Sequence, residues 1–443
     1  MDLKRYEICL SRLPEGMKAA EVYAEESQSF SVGLLDGAID SYEVSGAAGI
    51  SLRADCGHMG YAYTESMEDD PERLLRLAAE SAAVIESEDE QEVYAGAEEY
   101  PEAPAVDPAL LSATAEEKIA LARELEKKAL AADPRIRKLI HCKLGTTIGE
   151  KNIVNSRGLS LKQSSGSCFA YVSPMAEIDG QIKDGFAWRI ARSLGELDID
   201  GLVKEATEDL FSQFGASPVP SGTYPIVMKN SAAADLLEAF SGMFSADAAQ
   251  KGLSLLAGRE GEVIGNERVT LIDDPMCPMA PGQSAFDDEG VPAEKTVVAE
   301  KGVLRTLLHN LKTAKKAGCA TTGNAGKPSA ASPVGVSPSN FYQKPGGKSF
   351  DELLAGMGDG LLIANISGLH AGCNAVSGAF SLLARGFVVE GGRIGRPVEQ
   401  ITVTGNFLEY LRDVCAVGSD LRFGMSGVGS PSLFISGLQV AGK

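Results

Sequence analysis

Histidine is scarce in this chain of 443 residues: His58, His141, His309 and His370 are all there is. None stands four or five positions from another, so no helix carries the HExxH or HExxxH pair that would hold a catalytic metal. The nearest approach to a metal pair is His370 with Cys373, which needs two further ligands that no neighbouring motif supplies. The same residues also read as a turn after a strand at 361–366. Asp287, Asp288 and Glu289 are consecutive and precede Gly290. Adjacent carboxylates can share a proton or hold a cation; they can equally form a solvated turn whose side chains bond local backbone. On a strand, consecutive acids would face alternate sides, which works against one convergent site. No GxxxxGK[ST] or GxSxG motif occurs. The glycines of 424–429 follow no βα unit and have the wrong order for a dinucleotide fingerprint, and Ser284 in GQSAF lacks the closing glycine.

The elements that must position these residues fall into three regions, 1–86, 108–215 and 222–443. In the first, a helix broken near Pro14 precedes alternating runs at 20–25, 29–35, 39–44, 49–54 and 59–63. Turn residues between the runs predict antiparallel hairpins. Pro71 then opens a helix with Leu74, Leu75, Leu77, Ala78 and Ala82 on its apolar face. Residues 87–107 are acidic and proline-bearing with almost nothing to bury, and read as a linker. The second region predicts a helix over 112–131 capped by Ser112 or Thr114, strands at 138–146, 147–155, 159–166, 167–178 and 183–191, and a helix over 198–213.

After a break at 216–222 the chain is strand-rich, with runs at 226–229, 269–273, 296–300, 361–366, 380–390, 393–398 and 433–435. Residues 322–347 read as a long excursion, a lid or a groove wall. Behind the strand at 224–229, Asn230 or Ser231 is placed to cap a helix running to about Phe244, with Leu236, Leu237, Phe240, Met243 and Phe244 as its apolar stripe. Antiparallel pairing dominates and no βαβ cadence is sustained, so the fold class is α+β, an N-terminal part of hairpins and helices followed by a larger strand-rich domain.

A formal net charge of −20, dense at 86–99, disfavours direct nucleic-acid binding, and no Lys/Arg cluster offsets it. No run is long enough for a signal peptide or a membrane span, which predicts a cytoplasmic protein with no membrane partner. The eight cysteines form no CxxC and are expected as free thiols.

Several separated stretches resemble one family, the PmbA/TldD proteins, known as modulators of DNA gyrase and classed as peptidases. They are Gly46 to Arg53 with Gly60 to Thr64, Asn155 to Gly158, Phe286 to Gly290, Thr313 to Gly318, Thr322 to Asn324, Gly368 to Gly372 running on to Ser377 to Ser381, and Gly405-Asn406. The resemblance implies two paralogues forming a heterodimeric protease, of which the TldD-like one binds zinc through HExxxH and a later cysteine. Here Leu237-Glu238-Ala239-Phe240-Ser241-Gly242 aligns with that helix, with Leu237 and Gly242 in place of the histidines and Glu238 retained. The later cysteine region aligns with 422–429, which has none, and Cys415 lies nearby in an apolar setting. The resemblance thus implies the TldE/PmbA-like branch: no catalytic or metal residues and no cofactor in this chain, zinc in a TldD-like partner, and unfolded or small peptides as substrate. A homodimer of this chain is the other assembly it allows. It points to Asp288, Glu289, Gly323, Asn324, His370, Gly372 and Ser377 as groove candidates. Two alternatives stay open: an autonomous hydrolase using His370, Cys373 and the acids Asp287 to Glu289, or a gyrase-associated regulator that is not an enzyme.

Overall fold

The computed structural model describes residues 3–86 and 89–443. The fold is α+β and strand-rich, and the chain divides into two units by internal contact. The first comprises residues 1–214, 281–293 and 310–335; the second comprises 215–280, 294–309 and 336–443. Two short segments of the last sequence region therefore pack within the first unit.

The first unit is built on one sheet of long antiparallel strands: β1 (Ala19–Leu35), β2 (Ala38–Asp55), β3 (Met59–Thr64), β4 (Ile136–Asn155), β5 (Ser160–Ile178), β6 (Gln181–Asp184) and β7 (Ala187–Ala191). The order is β3-β2-β1-β4-β5-β6, with β7 also on β5. Four of these strands were expected as pairs of shorter ones. Ser45-Gly46 reads locally as a turn, yet both residues continue β2 opposite Ser29 and Gln28 of β1. Cross-strand pairing overrides the turn propensity. The real turn is Asp36-Gly37, where both residues have positive φ.

Helices α1 (Lys4–Leu10) and α2 (Pro71–Ala82) cover one end of the sheet. They bury Leu10, Leu74, Leu75 and Ala78 against Ala20, Val22, Ile50 and Leu52. Asp70 caps α2 by accepting from the Glu72 N–H, and Pro71 sits at its first turn. At the other end of the sheet lie α3 (Pro108–Ser112), α4 (Ala115–Ala131) and α5 (Ile199–Phe211). The predicted helix over 112–131 is α4, capped by Thr114, one of its two candidates, in a capping box with Glu117; Ser112 instead ends α3.

The acidic stretch expected as a linker has no regular structure, but it is packed. Val93 is fully buried, the Tyr94 carbonyl accepts from the Asn155 side chain, and Tyr100 donates to the Gly290 carbonyl. Some of its acids are paired as well: Asp89 with Lys316 and Glu90 with Lys315 on the helix Leu311–Ala317. Ser87 and Glu88 of this stretch lie outside the described residues.

In the second unit β8 (Gly222–Met228) pairs parallel with Gly360–Ser367 and antiparallel with Leu433–Ala441. The strands Ala379–Glu390 and Arg393–Asn406 continue that sheet, and the last of them returns to pair with Leu433–Ala441, closing a ring. A second, six-stranded sheet includes Leu271–Asp273, Thr296–Glu300 and Phe341–Gln343. Helix α6 (Asn230–Ser241) follows β8 and packs against both sheets. Among the described residues no helix is long and apolar enough to cross a membrane.

Candidate functional site

The candidate residues divide between the two units. Asp288, Glu289, Gly323 and Asn324 lie in the first; Leu237, Glu238, Gly242, His370, Gly372 and Ser377 lie in the second.

In the first unit the helix-free face of the sheet carries charge. Strand pairing places Glu21, Arg53 and Tyr61 in one row and Tyr23, Ser51 and Tyr63 in the next. Segments 281–293 and 310–335 lie over this face. The expected solvated acidic turn is instead buried: Asp287 is 8% exposed and Glu289 3%. Each acid has its own structural partners. Asp287 accepts the Glu289 and Val291 N–H groups through Oδ1, both at 2.9 Å, and the Ala325 N–H through Oδ2 at 3.0 Å. Asp288 accepts from Lys151 Nζ at 2.9 Å and from the Lys327 N–H at 2.8 Å. Glu289 accepts from Arg53 Nη1 at 2.7 Å and, through its other oxygen, from the Leu311 N–H at 2.8 Å. Arg53 Nε bonds Glu21 at 2.8 Å, completing a buried Glu21–Arg53–Glu289 triad.

Burial, then the Glu289 charge, pushes Asp287 up to about 8, against the pull of its three N–H donors. Burial works against the Arg53 charge, but Glu21 and Glu289 outweigh it and hold the guanidinium above its ordinary range. Lys327 donates to Ser51 Oγ, lies over the Tyr23 ring at 4.7 Å, and is brought down to about 8 by burial and then by Arg53. Gly290 has φ +81, and a Cβ there would stand 2.6 Å from Leu159, so glycine is required twice over. Gly323 and Asn324 are buried in the turn that leads to the Ala325 N–H, with Thr322 Oγ1 donating to Asn324 Oδ1 at 2.7 Å. The excursion expected as a lid or a groove wall is bonded down at Ala325, Lys327 and Ala330.

In the second unit α6 is a core helix. Its first residue is Asn230, and neither Asn230 nor Ser231 caps it from outside as expected. Lys229 holds the N-cap position, and the Asn230 N–H is satisfied at 3.0 Å by Ser432 Oγ. Leu236, Leu237 and Phe240 face the core, and Phe240 stacks on Phe407 at 4.7 Å between centroids. Leu237 is 5% exposed, whereas Glu238 and Gly242 are exposed. A Cβ at Gly242 would meet nothing within 4 Å, so the position has room for a side chain and has none. These residues do not fit a metal ion. Leu237 offers no lone pair and is committed to packing, Gly242 offers no side chain, and the carboxylates nearby are Glu238 and Asp235. Asp235, which the sequence reading passed over, is pushed up to about 6 by burial and then by Glu238, with Arg422 opposing. Among the described residues no three His, Cys, Asp or Glu side chains gather as a metal site.

His370 is exposed on the short helix Leu369–Gly372. Cys373 follows it, and burial raises its thiol above the ordinary value. Gly372 is a packing glycine: a Cβ there would stand 2.3 Å from the Ser381 carbonyl oxygen. Ser377 is exposed, and its carbonyl accepts from the Asn406 side chain at 2.9 Å. Cys415 lies on the strand Val414–Val417, in keeping with its apolar setting, but its own side chain is exposed.

Sequence and structure comparisons agree with this architecture. The chain matches PmbA/TldA metallopeptidase domain 1 over residues 20–85, the central domain over 108–213 and the C-terminal domain over 221–442. It belongs to the PmbA/TldD metallopeptidase family. A metalloprotease of Methanothermobacter thermautotrophicus is 30% identical over 438 residues, covering 95% of this chain and 92% of its own. A Thermotoga maritima protein described as a modulator of a DNA gyrase superposes with a TM-score of 0.89 at 34% identity, covering 96% of each chain. TldE from Thermococcus kodakarensis shares the fold, with a TM-score of 0.87 at 22% identity over 97% of this chain and 98% of that one.

Proposed function

We propose that this chain is the metal-free, non-catalytic subunit of a cytoplasmic two-paralogue peptidase, in which a TldD-like partner holds zinc and cuts unfolded or small peptides. The chain's part is to complete the chamber that receives the peptide. The observation that carries this reading is the state of α6, where Leu237 is packed in the core and Gly242 leaves the second ligand position without a side chain. Zinc hydrolysis needs about three protein ligands and an open position for water. Glu238 alone, with no metal-bound water to deprotonate, has no hydrolytic task. The likeness to metalloproteases in sequence supports the peptidase part of this reading.

The test is metal analysis and peptide hydrolysis by the purified chain, alone and after co-expression with a paralogue bearing HExxxH. The expected result is no stoichiometric zinc and no cleavage alone, with chelator-sensitive cleavage by the pair. Tight zinc binding and chelator-sensitive cleavage by the chain alone would overturn it, and recovery of gyrase in place of the paralogue would favour the regulator.

A further inference from the structure

Strand β5 leaves part of one sheet edge unpaired. β6 and β7 cover 168–178 on the side away from β4, but among the described residues no strand pairs that side of 160–166. The register shows which groups are left. The Asn155 N–H bonds the Leu159 carbonyl at 3.0 Å, and Val154 then faces Ser160 while Ile153 faces Leu161. Alternation in an antiparallel pair turns the backbone groups of Ser160, Lys162, Ser164 and Gly166 away from β4. The same phase reaches Pro174, whose carbonyl takes the Gly185 N–H at 2.9 Å on the outer side. Seven residues of such an edge form a ladder roughly 20 Å long.

A cavity of about 830 Å³ reaches this edge at 161–164 of β5; it is bounded by 100–106 and, inward over the sheet face, by 148–150 of β4 and 26–28 of β1. Its size is that of a ligand site. The segment 100–106 does not itself supply the missing strand. Pro101 and Pro104 lack N–H groups, and Tyr100 is drawn aside to the Gly290 carbonyl at 2.9 Å. The lining is acidic: it contains Glu26, Glu102 and Glu150, and its one cation among the described residues is Lys162, 2.7 Å from Glu150. A slot with unpaired backbone on one wall and surplus carboxylate fits a lone extended chain with basic side chains better than a second folded edge.

We propose that this groove binds an extended peptide segment bearing basic side chains, which adds as a strand to 160–166 of β5. The choice of a peptide rests on the peptidase reading above, but the binding is a property of this chain alone.

The probe is fluorescein-labelled Lys-Val-Lys-Thr-Lys-Val, followed by anisotropy with the purified chain. N-methylation at alternate amides of the probe is expected to weaken binding about tenfold or more. Glu26→Gln with Glu102→Gln weakens it about threefold to tenfold and flattens its salt dependence. Ser164→Pro removes one outward N–H at an edge position that tolerates proline, and also weakens binding. The proposal is overturned by a probe that does not bind, by an N-methylated probe that binds like its parent, or by variants that bind like wild type. A dimer of this chain that Ser164→Pro converts to monomer also overturns it, since a second copy would then own the edge. Should Ser164→Pro not fold, the N-methyl comparison on the wild-type chain decides. Hydrolysis by the co-expressed pair is measured separately, so the edge site can fail while the subunit reading stands, and the reverse.

Discussion

Two regions of this molecule invite a catalytic reading, and they are opposites. The knot around Asp287 to Glu289 is rich in acids, buried charge and shifted protonation, yet each acid is held by structural partners. Helix α6, where the resemblance places the metal ligands, has a fully apolar buried face. A buried titratable cluster is a candidate site only while some of its bonding capacity is unspent. At Asp287 to Glu289 that capacity is spent on backbone N–H groups and on Arg53 and Lys151, which makes the turn a fastening, although Glu21 Oε2 and Arg53 Nη2 behind it are buried without a hydrogen-bond partner among the described residues. In α6 the space is there and the ligands are not.

The contrast can be broken in four ways. Arg53→Met should have the largest effect, since it strands Glu21 and Glu289 as buried unpaired carboxylates; a loss of about 3–5 kcal/mol in urea unfolding is expected. A near-neutral result would show the triad to be solvated and the region open for chemistry. Leu237→Ala should cost about 2–5 kcal/mol by the same measurement, the usual range for emptying a core leucine site. A negligible loss would mean that position 237 is not committed to packing, and would reopen the metal question.

Asp287→Asn tests the knot through pH. Asp287 is raised to about 8 in the fold from an ordinary 3.8, so the folded chain holds a proton that the unfolded chain releases. Its contribution is complete below the ordinary value and is lost as pH rises through about 8. Wild-type stability should therefore fall between pH 5 and 8.5 more steeply than that of the variant; parallel curves would show the carboxylate ionised throughout. Gly242→His should be the mildest, within about 0.5 kcal/mol, because an exposed site with free space absorbs a side chain. Combined with Leu237→His it rebuilds the spacing of the motif. Stoichiometric zinc uptake by that double variant would show how little separates the two paralogues at this helix.

Much of the architecture is legible in the sequence wherever the signal is local. The 3.6-residue stripe of α6 and the Pro71 start of α2 are examples. The long strands were less so. Ser45-Gly46 looks like a turn until its partners Ser29 and Gln28 are known, and those come from pairing across the sheet. The acids at 287–289 stand out in the sequence, but their meaning depends on Arg53, 236 residues away from Glu289, and on Lys151. Charged residues at inward positions of β1 and β2 were the available sign that something opposite must match them. Asp235 gave no such sign, because an acid beside the apolar stripe of an amphipathic helix is ordinary.

The division of the first unit into residues 1–214 plus 281–293 and 310–335 has a consequence for synthesis. A ribosome that has released residue 214 has made the whole sheet but not the segments that neutralise its charged face. They are complete only about 120 residues later, on the order of ten seconds at ordinary translation rates. During that interval Arg53 has Glu21 but not Glu289, and Tyr23 and Ser51 lack Lys327. The nascent chain must wait with a wet, half-paired surface, and its last step is to draw in two loops from a domain still being built. A chain stopped after residue 214 would be left in that state permanently, a natural prey for chaperones and proteases.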